Sequence, residues 1–239
     1  MAKRKAKATK TAAKSGRPRS PSGSSRKQGR AIKGEIPYST IVRLAQYLRI
    51  LERLQTVGTG KISSNELARE AKVNSFLVRK DLSYFGEFGV RGVGYEIKSL
   101  IREVRKILGL NRERRVILVG VGHLGRALLS YKGFAEEGFC ICGLFDSDPA
   151  KIGTTVRNLE VRSIFTLEEF VESNGAVEIG IIAVPAFSAQ FVANTLVAVG
   201  VKGLLNFAPI PLTAPPHVIT VSVDLTTNLE VISYYLSQR

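Results

Sequence analysis

Cysteine, histidine and N-terminal acid are scarce in this 239-residue chain, and each shortage removes a class of chemistry. Cys140 and Cys142, the only cysteines, stand two apart in an apolar run and so face one side of an expected strand. That geometry suits neither a disulfide nor a zinc hook, and both read as core residues. The two histidines, His123 and His217, leave few ready-made general acids or bases, and the second follows Pro215-Pro216 in an expected turn. No apolar run reaches the roughly 20 residues a membrane span needs, and no apolar segment follows the basic N-terminus as in a secretion signal. The chain therefore reads as soluble and cytoplasmic, with no membrane partner.

Residues 1–34 hold no Asp or Glu but carry 12 of the 35 Lys and Arg. Removing them leaves 23 basic against 20 acidic residues, so the formal charge of +15 falls to +3 for the remainder. Like charges separated by Ala, Ser, Gly and Pro cannot bury a core, and residues 1–35 are expected to be a disordered tail. Two readings stand side by side. One is a counterion-releasing arm on phosphates, with Gly16-Arg17-Pro18 suited to an A·T-rich minor groove. The other is a solubilising tail.

From Ile36 the pattern changes. Apolar residues at 41, 44, 45, 48, 51 and 54 follow a helical period within Ser39–Leu54. After Gly58 and Gly60, Ser63-Ser-Asn-Glu66 has the capping-box spacing that starts a short helix over Ser64–Ala71. Lys72-Val-Asn74 then turns the chain into a helix over Ser75–Tyr84, expected to pack Phe76, Leu77 and Leu82 inward and to leave Arg79, Lys80 and Ser83 outside. Helix, short helix, turn and helix is the helix-turn-helix order, whose last helix, opening at Ser75, enters a major groove of duplex DNA. Phe85–Tyr95, with glycines at 86, 89, 92 and 94, reads as a hairpin wing that carries Arg91 near its tip. Such an arginine reaches a minor groove while Arg79 or Lys80 contacts base edges or phosphates.

The second half opens with an apolar run, Arg115-Val-Ile-Leu-Val119, leading into Gly120-Val121-Gly122-His123-Leu124-Gly125. In such a strand-to-helix turn the first glycine permits the bend. The second removes a Cβ from the path of a pyrophosphate, the third lets helix pack close to strand, and the helix amides face the phosphates. Asp146 ends a second apolar strand about twenty residues later, where a carboxylate accepts both adenosine ribose hydroxyls. It favours NAD(H) over NADP(H), although Lys151 lies nearby; the alternative is a residue that merely opens the turn Asp146–Pro149. Glu178–Pro185 and Val201–Pro209 read as the fourth and fifth strands. Their ends, at Val184-Pro185 and Asn206-Phe207, fall where the crevice of an open parallel sheet holds its ligand.

Val78-Arg-Lys-Asp-Leu-Ser-Tyr-Phe-Gly-Glu-Phe-Gly89, Arg91-Gly-Val-Gly-Tyr95, the glycine loop and Leu205-Asn-Phe-Ala-Pro209 together resemble the Rex redox-sensing transcriptional repressors, over roughly residues 36–238. The resemblance implies an α/β chain of three parts after the tail. These are a winged helix-turn-helix domain over 36–96, a Rossmann domain with a doubly wound parallel sheet over 97–225, and a C-terminal helix over 226–239 exchanged between subunits. It implies a homodimer that binds palindromic operator DNA and leaves it when NADH replaces NAD⁺. It places Asn206, Phe207 and Pro209 near the nicotinamide, with Tyr131, at the end of the helix after the glycine loop, as a residue that changes partner with redox state. It makes Asp224 an acid contributed to that site across the dimer; read from the residues alone, Tyr131 is a core residue and Asp224 a helix cap. His123 stands where asparagine or arginine is commoner in the family, and Asn74-Ser-Phe-Leu77 is also less usual. Two other readings keep the glycine loop: an NAD-dependent oxidoreductase with an accessory nucleic-acid-binding domain, and the CoA-binding domain of an acyl-CoA ligase. The latter leaves residues 36–95 without a role.

Overall fold

A computed structural model describes residues 36–89 and 93–238. The basic tail and Arg91 at the expected wing tip lie outside the described residues. The N-terminal unit runs α1 (Tyr38–Thr56), β1 (Lys61–Ile62), α2 (Ser64–Glu70), α3 (Ser75–Ser83), β2 (Tyr95–Glu96) and α4 (Ile97–Ile107). Its core joins Leu44, Leu48 and Leu51 of α1 with Leu67 of α2, Val78 and Leu82 of α3, and Ile97, Leu100 and Val104 of α4. Tyr47 and Ile50, which fall off the expected apolar positions, are buried with them. Because α4 belongs to this core, packing divides the two units after α4 and not at the expected 96/97 boundary.

The second unit runs β3 (Arg114–Val119), α5 (His123–Leu129), α6 (Lys132–Glu136), β4 (Phe139–Asp146), β5 (Thr155–Val156), β6 (Leu159–Ser163) and α7 (Leu167–Asn174). It continues through β7 (Ile179–Ile182), α8 (Ala186–Ala198), β8 (Gly203–Asn206), β9 (Ile219–Ser222) and α9 (Leu225–Ser237). The sheet order is β5-β6-β4-β3-β7-β8-β9, with every pairing parallel except the edge pair β5–β6. This is the expected doubly wound Rossmann architecture. β3 is buried on both faces, as a central parallel strand must be: Ile117 and Val119 join the core beneath α7 and α8, while Val116 and Leu118 face the other way. The chain leaves β3 for β4 on one side, and β7 flanks it on the other. That reversal of strand order opens a crevice at the carboxyl ends of β3 and β7.

Two apolar surfaces stay open. Phe134, Ile141, Ile179, Ile181, Leu205 and Val221 line a hollow of about 340 Å³ on one face of the sheet. Helix α9 buries none of its residues, and Leu229, Ile232, Tyr235 and Leu236 are each more than half exposed. Among the described residues no helix is long and apolar enough to cross a membrane.

Candidate functional site

The crevice has a volume of about 600 Å³ and is lined by Gly120, Gly122, His123, Leu124, Asp146, Val184 and Pro185. Its floor needs the three glycines for three different reasons. Gly120 has φ +98°, and a Cβ there would stand 2.4 Å from the Ala183 carbonyl oxygen. A Cβ on Gly125 would stand 1.9 Å from the Gly120 carbonyl oxygen, so α5 packs on β3 only because it is absent. A Cβ on Gly122 would meet nothing within 4 Å and would enter the open crevice. That free volume, bordered by the first-turn amides of α5, which lack intrahelical acceptors, fits a pyrophosphate. Ile164, Phe187 and Phe191 form an apolar wall suited to a flat ring; Phe187 and Phe191 do not stand out in the sequence, because α8 has no clear apolar stripe.

Asp146 sits at the crevice end of β4, as expected, but its carboxylate also holds the loop. Oδ2 accepts the Val121 amide at 2.8 Å and Lys151 Nζ at 3.1 Å, and Oδ1 accepts the Asp148 amide at 3.0 Å. Burial pushes this carboxyl up, yet the Asp148 and Val121 amides and Lys151 outweigh it and hold it below the usual carboxylate range. Lys151 is in turn pushed up, chiefly by its hydrogen bond to Asp146. Asn206 is fully buried, donating to the carbonyls of Ile210 at 2.8 Å and Ala208 at 3.2 Å and accepting the Ala208 amide at 2.9 Å. It braces the chain after β8, and neither it nor Phe207 lines the crevice. Tyr131 does not end α5; it caps α6, is exposed, and packs edge-on against Phe134 in a separate hollow. Asp224 caps α9 by accepting the Thr226 amide at 2.8 Å. Within one chain, Tyr131 and Asp224 therefore do not meet the crevice.

The N-terminal unit presents a helix-turn-helix. Ser63 Oγ accepts the Glu66 amide while Glu66 Oε2 accepts the Ser63 amide, completing the expected capping box. Lys72 takes φ +55° in the turn, and Asn74 caps α3 through the Leu77 amide at 2.7 Å. Arg79, Lys80 and Ser83 are exposed as expected, Ser75 is half-buried at the start of the helix, and Arg79 Nη1 donates to Ser64 Oγ at 3.0 Å. Phe76 contradicts its expected inward packing and is 66 % exposed. At 100° per residue it lies about 200° from Val78, which with Leu82 sets the buried stripe. The wing also differs from the expected local hairpin: β2 pairs antiparallel with β1, which precedes α2. Gly94 permits that pairing, since a Cβ there would stand 2.6 Å from the Ile62 carbonyl oxygen.

A buried acid that sequence reasoning does not single out holds the exposed helix in place. Asp81 of α3 is fully buried and accepts Thr40 Oγ1 at 3.0 Å, Tyr47 Oη at 2.9 Å and both Arg43 Nε and Nη2 at 2.7 Å, all from α1. Burial pushes its carboxyl up, but the hydrogen bonds from Arg43, Tyr47 and Thr40 prevail and hold it below its ordinary value. The Tyr47 phenol moves the other way, raised first by burial and then by Asp81. The only sequence signal of Asp81 is an acid three residues after Val78 on an otherwise apolar stripe.

A capped helix-turn-helix joined to a glycine-lined Rossmann crevice defines the class of nucleotide-responsive DNA-binding regulators. Two family models match, "CoA binding domain" over residues 111–210 and "Putative DNA-binding protein N-terminus" over residues 35–83. The redox-sensing transcriptional repressor Rex of Carboxydothermus hydrogenoformans is 54% identical over 84% of this chain and 96% of its own length. That of Thermus thermophilus is 46% identical over 84% and 93%. Among solved structures, the Rex-family repressor RSP in complex with β-NAD⁺ and operator DNA superposes with a TM-score of 0.81 at 38% identity, covering 86% of this chain and 94% of RSP. Its complex with β-NADH gives 0.78 at 36% identity, covering 86% and 96%. The chain belongs to the Rex family of redox-sensing transcriptional repressors. These relatives are named as repressors and not as oxidoreductases, and the match over residues 35–83 covers most of the segment that the acyl-CoA ligase reading left without a role.

Proposed function

We propose that this protein represses transcription in response to the NADH/NAD⁺ ratio, binding operator DNA as a homodimer and releasing it when NADH occupies the crevice. One observation carries this most directly: a single chain holds both a crevice whose second glycine leaves room for a pyrophosphate and a basic helix locked outward by a buried acid. In this reading Arg79 and Lys80 contact the duplex, with Ser75 and Ser83 at the margins of the contact and Arg91 reaching the minor groove. Gly120–Gly125 cradle the pyrophosphate, Val184 and Pro185 close the crevice, and Asp146 spends its remaining acceptor capacity on ribose hydroxyls. NAD⁺ and NADH differ by one hydride at the nicotinamide, so the discriminating groups must lie at that end. Tyr131, Phe207 and, from the other subunit, Asp224 are the residues proposed there. Asn206 acts indirectly by holding the chain that follows β8.

Supporting the homodimer, α9 offers a row of apolar side chains that are each more than half exposed, and the open sheet face is apolar too. Asp224 caps the helix that would be exchanged, so the exchange would carry it to the partner's crevice. A repressor that acts on operator DNA would work in the cytoplasm, and that is the proposed location. Titration of a palindromic operator library at fixed salt tests the reading. A selected palindrome bound in preference to random duplex supports it, and equal affinity for every duplex contradicts it.

A further inference from the structure

One side chain ties the two cores together. Arg105, in the last turn of α4, places Nη1 2.6 Å from Glu52 Oε1 of α1 and 3.2 Å from Oε2 of Glu137, the residue that ends α6. Among the described residues no other ion pair joins the unit built around α1–α4 to the sheet unit. The three side chains are 28%, 31% and 30% exposed, partly sheltered between the units. What lies behind each carboxylate gives the contact its interest. Helix α6 is five residues long, with Tyr131 capping its start, the Tyr131 ring against Phe134 at 5.2 Å, and Glu137 closing its end. Tyr131 and Glu137 therefore bracket the same five-residue helix, one at each end. On the other side, Glu52 stands on the helix whose Thr40, Arg43 and Tyr47 grip Asp81 of α3. The line from Tyr131 to the basic helix therefore passes through α6, Glu137, Arg105, Glu52 and α1.

We infer that Arg105 is a positioning residue that transmits the state of the dinucleotide crevice to the DNA-facing helix, an inference resting on the repressor reading above. A partly exposed pair adds little to stability. That weakness makes it separable, because substitution should alter coupling between the sites while leaving each site intact. The coupling factor is the ratio of operator dissociation constants with and without saturating NADH. Reciprocity requires the same factor from NADH titrations of operator-bound and free protein.

Both titrations are made on the full-length chain and on Glu137→Gln and Glu137→Lys, with Glu172→Gln on α7 as an exposed control. Glu137→Gln is expected to lower the coupling factor about threefold, and Glu137→Lys further because it repels Arg105. Operator affinity without NADH, and NADH affinity without DNA, should stay within about twofold of the parent, the scale of a solvent-screened charge. Coupling unchanged in both Glu137 variants, in a parent whose factor is well above one, overturns this inference alone. Loss of operator binding in the absence of NADH would make the pair part of the fold and also overturn it. A parent factor of one removes the repressor reading itself, and the inference with it.

Discussion

Two residues show what kind of information a sequence carries. Gly122 is legible because the constraint on it is local: three glycines at fixed spacing after an apolar strand, with the middle one facing the ligand's path. Gly122→Val should cost at least tenfold in dinucleotide affinity, about 1.4 kcal/mol or more, while operator binding without dinucleotide persists; a fluorescence titration with NADH measures this. Asp81 is not legible, since its partners Thr40, Arg43 and Tyr47 lie 41, 38 and 34 residues away and no local pattern announces them. Breaking a buried pair by removing one partner costs about 3–5 kcal/mol, so Asp81→Ala should unfold the N-terminal unit well before the sheet unit in denaturant. The pH dependence has a definite sign. Asp81 and Asp146 are both held below the usual carboxylate range. Each therefore contributes stability above its unfolded value, about 3.9, and loses it as pH falls toward the folded value. Thermal melts between pH 7 and 3 should show stability falling with acid, and Asp81→Asn should flatten that fall.

At the scale of elements, caps and periodicity carry well and long-range pairing does not. Ser63-x-x-Glu66 predicts the start of α2, and the apolar stripe of α1 predicts its inward face, since both depend on neighbours within one or two turns. The wing departs from the local hairpin because β2 finds its partner before α2, and Gly94 serves close approach to Ile62 and not a local turn. Tyr131 departs from the expected end of a longer helix because the chain breaks after Leu129 and restarts with Tyr131 as a cap. Two elements carry predictions. Arg79→Ala on α3 should remove about 1–3 kcal/mol of operator preference and leave NADH affinity intact; loss of both would make the residue structural. Deleting residues 225–239, which removes α9, should shift the sedimenting species toward monomer, because the helix buries none of its apolar side chains in its own chain. An unchanged dimer would assign the interface to the open sheet face alone.

The whole molecule combines a crevice, a basic helix and a tail whose charge stands out from the rest of the chain. Residues 1–34 supply 12 of the 35 basic side chains, so their removal should lower the salt dependence of DNA binding, by about 0.9 in log–log slope for each phosphate that the tail neutralises. Sequence preference should not change, and a changed preference would mean that the tail reads bases. The architecture builds on strands and helix faces that the sequence encodes locally. The link between the halves does not, because Arg105 meets Glu52 and Glu137 across 53 and 32 residues of sequence. Linkage then sets the requirement: the dinucleotide weakens operator binding only by as much as it prefers the state that binds DNA poorly. The most direct measurement is the anisotropy of a labelled palindromic operator titrated with the full-length protein, alone and with NADH or NAD⁺ at matched concentrations. The account predicts selective binding that NADH weakens at least fivefold, within the usual range of coupling between sites, and that NAD⁺ leaves in place. Operator affinity identical under all three conditions would contradict it.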